Sequence, residues 1–151
     1  MRIAQMLGLP YQWPRPDPVQ VDPQTRAATP NQPYIHRLTR LGCAAAEIGN
    51  GLPFLKEVSH TIWSGQHVGW NEGSHLADAA RQAGCDLAAL DDKITADPDK
   101  YEAIIMANQD AHKASGHWGV PTMSFEGEPF FGQDRLDVLL WRLNQKGLKK
   151  R

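Results

Sequence analysis

Proline placement constrains this chain more than any other feature. Five of its eleven prolines fall between Pro14 and Pro30. Each fixes its own φ, removes a backbone donor and biases the preceding residue away from helix, so this stretch predicts an irregular or polyproline-like path. Ahead of it, Arg2 to Leu7 reads as the end of a helix stopped at Gly8. Tyr11-Gln12-Trp13, caught between Pro10 and Pro14, has room for only a brief extended strand.

After Pro30 the punctuation changes character and frames helices. Pro33 suits a first helical turn, and the segment to Ile48 stops at Gly49-Asn50-Gly51. Pro53 opens a second helix through Trp63. A glycine-rich loop from Gly65 to Gly73 follows, and Ser74 is the predicted N-cap of a helix ending at Gly84. Asp86 is placed to cap a short helix. Asp97-Pro98 combines a cap with a first-turn proline, and Tyr101, Ile104, Ile105 and Asn108 then recur at helical spacing until Gly116.

The period then switches. Thr122 to Phe125 and Pro129 to Phe131 read as two short strands around Glu126-Gly127, a pair suited to a tight hairpin. Pro129 predicts either that its nitrogen faces away from the ladder or that this is an edge strand. From Gln133 the chain reads as helix, with Leu136, Leu139, Leu140 and Leu143 on one apolar stripe.

Charge and apolar runs remove several function classes. A formal charge of −1 gives no general attraction to nucleic acid, and the basic run from Lys146 to Arg151 reads as a solvated terminus. No stretch reaches the roughly 18–20 apolar residues that span a bilayer, and the N-terminal run, broken by Gln5 and Pro10, makes a poor signal peptide. Cys43 and Cys85 form no C-x-x-C pair and fit reduced thiols in a cytoplasmic setting. The six histidines make no H-E-x-x-H or similar spacing, so no metal site is expected.

Two spots carry candidate chemistry. Pro121 holds Val120 extended; with the Val120–Pro121 bond cis, the Val120 N–H and C=O would turn toward a cleft and pair with an extended peptide, whereas a trans bond would simply start a strand. Gln133-Asp134 opens the last helix, where free N–H groups attract a carboxylate and the Asp134 side chain can accept from an ammonium. Asp134 is equally read as a first-turn acid complementing the helix dipole. Among other residues, His117 beside Trp118 reads either as a contact for a substrate carboxylate or as a loop histidine. Trp70 reads as packing or as the rim of a pocket for a planar substrate.

Asn108-Gln109-Asp110 through Gly116-His117-Trp118-Gly119-Val120-Pro121-Thr122, followed by Phe131-Gly132-Gln133-Asp134-Arg135-Leu136, resembles the C-terminal half of 2-hydroxychromene-2-carboxylate isomerases. These are relatives of kappa-class glutathione transferases in the disulfide-oxidoreductase A branch of thioredoxin folds. Thr61 through Asp86 is similar to that family's helical insertion. The resemblance implies an α/β thioredoxin-like domain, formed by 1–31 and 117–151, with an all-helical insertion at 32–116. It implies glutathione as cofactor: Pro121 as the cis-proline, the Val120 backbone on the cysteinyl part, and Gln133 and Asp134 on the γ-glutamyl head. It also implies a small aromatic substrate and a homodimer.

The family's first strand and helix, with the serine or cysteine that contacts the glutathione sulfur, have no counterpart here, so the catalytic residue is unassigned. Ser59, Ser64 and Ser74 lie in the helical insertion and do not supply it. The expected activity is glutathione-dependent isomerisation in aromatic degradation, in full or as a remnant. A non-catalytic binding or scaffold protein, a thiol–disulfide oxidoreductase and a shortened gene product are the alternatives.

Overall fold

A computed structural model describes residues 2–149. Its elements are α1 (Arg2–Met6), α2 (Ile35–Glu47), α3 (Gly51–Trp63), α4 (His75–Gln82), α5 (Leu87–Ala96), α6 (Pro98–Ala114), β1 (Thr122–Phe125), β2 (Glu128–Phe131), a 3-10 turn at Gln133–Arg135, and α7 (Leu136–Gln145). The fold is mixed α/β. The chain forms two compact units, one up to Ala103 and one from Ile104, with the boundary inside α6.

In the first unit α2 packs against α3 and α5, and α4 against α3 and α5. Small residues at the contacts, Ala44, Ala45, Ala79 and Ala80, let the backbones approach, and Leu41, Phe54, Val58, Ile62, Leu76, Leu90 and Ile94 fill the space between them. The stop signals act as read: Gly49 and Gly84 take positive φ of 82° and 74° just past their helices. The Asp86 carboxylate accepts from the Ala88 N–H, and that of Asp97 from the Lys100 N–H. Ser74 occupies the position before α4 without capping it; its hydroxyl donates to Asp78 instead, at 2.8 Å.

The proline-rich front is irregular, with one isolated bridge between Val21 and Ala28. Tyr11 to Trp13 does not become a strand. The Gln12 N–H instead donates to the Trp63 carbonyl at the end of α3, and Tyr11 and Trp13 pack on the Trp63 ring. Farther on, the Gly69 N–H donates to the Arg15 carbonyl and the Trp70 indole N–H to the Pro16 carbonyl at 2.7 Å. Trp70 is therefore core, 1% exposed and edge-on to Tyr34, which excludes it as a pocket rim.

Tyr101, 2% exposed, closes this unit: its hydroxyl donates to Glu47, which also pairs with Lys100 at 2.6 Å. The Lys100 ammonium first, then the Tyr101 hydroxyl, hold the Glu47 carboxyl below the ordinary carboxylate range.

In the second unit β1 and β2 pair antiparallel in the register Thr122 to Phe131 and Phe125 to Glu128. Glu126 and Gly127 have φ of 51° and 81°, the two positive values that a two-residue turn following the strand twist requires. Alternation from this turn puts Ser124 and Pro129 in a non-hydrogen-bonded pair, so proline at 129 removes no ladder bond. The same alternation brings the Gly132 N–H onto the Pro121 carbonyl at 2.9 Å. Glu128 pairs with Arg142 and Glu126 with Lys146, fastening the hairpin to α7 and the residue after it. The apolar stripe of α7 is only partly covered: Leu139 and Leu143 are half-buried, while Leu136 and Leu140 are about half exposed.

Gly119 is buried where the Phe131 ring edge lies against its backbone, and an added Cβ would occupy the space of that ring edge. Any larger residue must displace Phe131.

Three outcomes follow from this packing. Tyr101→Ala costs about 3–5 kcal/mol in urea unfolding, the range for truncating a buried aromatic. Glu47 stabilises above its unfolded-state pKa of about 4.3, and this contribution is lost as pH falls through the lowered native value. Glu47→Gln therefore loses less thermal stability than the parent between about pH 5 and 3. Gly119→Ala costs about 1–3 kcal/mol by overpacking, and the same change made in a Phe131→Ala background costs measurably less.

Candidate functional site

The hairpin register brings the two candidate spots together. Pro121 stands opposite Gly132, joined by the bond from the Gly132 N–H, so Val120-Pro121 and Gln133-Asp134 flank one end of the sheet. The Val120–Pro121 peptide is cis. Val120 is 79% exposed, and among the described residues neither its N–H nor its C=O has a partner. An extended ligand backbone can supply both.

Gln133 and Asp134 begin the 3-10 turn that leads into α7. The Arg135 N–H returns to the Gly132 carbonyl and the Leu136 N–H to that of Gln133. The Gln133 and Asp134 N–H groups find no backbone partner among the described residues. The Asp134 side chain is exposed, with only a loose 3.7 Å approach to Arg135. Among the described residues, one end of the sheet thus offers the unpaired Val120 backbone, two N–H groups without backbone partners and a carboxylate.

The turn before Pro121 is fixed from several directions. The Gly119 carbonyl accepts from His112 Nε2 at 2.8 Å and from the Thr122 hydroxyl. The Gly119 N–H donates to His117 Nδ1 at 2.9 Å. The His117 ring lies nearly parallel on Phe131, centroids 3.9 Å apart, and Trp118 stands beside it. His117 is therefore a packing and hydrogen-bonding member of the turn. Sequence reading missed His112 and Thr122 as its supports; the seven-residue gap from His112 to Gly119 carries no signal that the helix end returns there.

Other reactive groups lie elsewhere. Cys85 is buried, with its thiol toward the Ala83 carbonyl. Burial first, then the Glu47 charge, push the Cys43 thiol up, which disfavours the nucleophilic thiolate. Ser64 is buried and its Oγ accepts from the Gln66 N–H. His67 and His75 pack ring to ring, but no group of three or more His, Cys, Asp or Glu that could hold a metal forms among the described residues. No helix among the described residues is long and apolar enough to cross a membrane.

A family model described as DSBA-like thioredoxin domain matches residues 1–144. No curated protein and no solved structure matches the chain. The resemblance carried by Gly119-Val120-Pro121-Thr122 and Gly132-Gln133-Asp134-Arg135 thus holds at the level of the thioredoxin-like fold. With the match covering nearly its whole length, the chain belongs to the DSBA-like thioredoxin domain family.

Proposed function

We propose that this chain binds glutathione and acts as an isomerase of the 2-hydroxychromene-2-carboxylate type on a small aromatic substrate. The observation that carries this reading is the meeting of an unpaired, exposed Val120 backbone with Asp134 and the free donors of its turn. Glutathione has matching parts: a peptide-like cysteinyl segment and a γ-glutamyl head with an ammonium and a carboxylate. The Val120 N–H and C=O pair with the cysteinyl backbone as an added strand would. Asp134 accepts from the ammonium, and the N–H groups of Gln133 and Asp134 face the carboxylate.

When bound, glutathione supplies a thiolate that adds reversibly to an unsaturated ketone, so that a double bond becomes free to rotate. The protein's part is to hold both reactants in one geometry. Val120, Pro121, Gln133 and Asp134 bind and orient; none of them ionises a thiol. A dithiol–disulfide activity draws no support from the chain's own cysteines, since Cys85 is buried and the Cys43 thiol is pushed up.

Thermal unfolding with and without reduced glutathione tests this. A ligand of the native state at ten times its dissociation constant adds about 1.4 kcal/mol, or about 3–5 °C for a chain of this size. Glutathione raises the transition by that order, cysteinylglycine, which lacks the γ-glutamyl head, does not, and Asp134→Asn removes most of the rise. A transition indifferent to glutathione refutes the reading and favours a binding or scaffold protein of the family.

A further inference from the structure

Trp118 is the most exposed large apolar side chain of the described residues, at 86%, and it stands two residues before Val120. An indole left in water beside a ring pair is an unusual use of the largest apolar side chain. Its surroundings are well fixed. His117 lies 5.5 Å away at 21° and is itself stacked on Phe131 at 13°. Phe131 is pinned against the Gly119 backbone, and Gly119 is held by His112, Thr122 and His117. The result is a cluster of three rings on a restrained turn, the indole inclined 34° to Phe131 and largely exposed.

We propose that Trp118, supported by His117 and Phe131, is a specificity-determining platform that stacks the planar aromatic ring of the ligand held at Val120. This rests on the glutathione reading, because it places the ring on a group carried by the ligand's sulfur. The flat face suits a single planar ring over a branched aliphatic group, since offset stacking needs a second π surface. The buried Trp70 cannot serve, as its indole N–H is committed to the Pro16 carbonyl.

The experiment is calorimetric titration of the full chain with S-methylglutathione and S-(4-nitrobenzyl)glutathione. The parent binds the aryl conjugate about 5- to 10-fold tighter. Trp118→Leu, similar in polarity without a ring system, loses that preference while its affinity for S-methylglutathione stays within about twofold. Trp118→Phe keeps most of the preference. Equal affinities in the parent overturn the platform alone, and binding of neither conjugate overturns the platform and the glutathione reading together. Loss of both affinities in Trp118→Leu also overturns it, by making Trp118 a support of the Val120 turn. Light scattering completes the test: a dimer that Trp118→Leu dissociates would assign the indole to a contact between copies.

Discussion

The carbonyl of Gly119 is the point on which the second unit depends. It accepts from His112 near the end of α6 and from Thr122 at the start of β1, so one oxygen fixes where the helix stops and where the sheet begins. Neither donor would find it without the other constraints. The Gly119 N–H is held by His117, and only a glycine lets Phe131 lie flush against this backbone. With Gly119 bonded on both polar groups, Val120 and Pro121 follow from a fixed base, and among the described residues the Val120 N–H and C=O have no partner.

The first unit is organised by a different device. Its proline-rich front forms no helix and pairs with itself only around the isolated Val21–Ala28 bridge, so the backbone groups before it need other partners. They find them along the end of α3 and the loop after it. Gln12 reaches the Trp63 carbonyl, Arg15 receives Gly69, and Pro16 receives the Trp70 indole. A segment with little secondary structure is thereby tied down by a handful of long-range bonds and by aromatic packing on Trp63. Trp70 joins the apolar and polar parts of this arrangement, since one side chain fills the core and satisfies a backbone carbonyl.

What could be read from the sequence was local. The Glu126-Gly127 turn was legible because both positive φ values are demanded by a two-residue loop between alternating strands. The helix ends at Gly49 and Gly84, and the caps at Asp86 and Asp97, were legible for the same reason: each is settled within a few residues. Ser74 failed as a cap because its backbone, at φ −96° and ψ 1°, lacks the extended conformation of a capping residue. Trp70 was read as packing or as a pocket rim, and the distant partners that decide for packing, the Pro16 carbonyl and the Tyr34 ring, are not local in sequence. The strand foreseen at Tyr11 to Trp13 failed likewise, as its single backbone bond goes to a helix end. Of the candidate site, Val120, Pro121, Gln133 and Asp134 were singled out by residue type together with the family resemblance. Their adjacency depends on hairpin register, and the support from His112 depends on where α6 ends.

The two cysteines give the remaining argument about chemistry. Members of a thioredoxin-like family handle sulfur, yet neither thiol of this chain is placed to act as a nucleophile. Cys85 is enclosed with its thiol toward a carbonyl. Cys43 lies on α2 one turn before Glu47, so burial and a nearby negative charge both oppose its ionisation. Lys100 and Tyr101 hold the Glu47 carboxyl below the ordinary range, so the interaction that closes the first unit also adds, after burial, to the upward push on the Cys43 thiol. The Val120 end of the hairpin presents other groups among the described residues: an unpaired backbone, the Asp134 carboxylate, two turn N–H groups without backbone partners and an exposed indole.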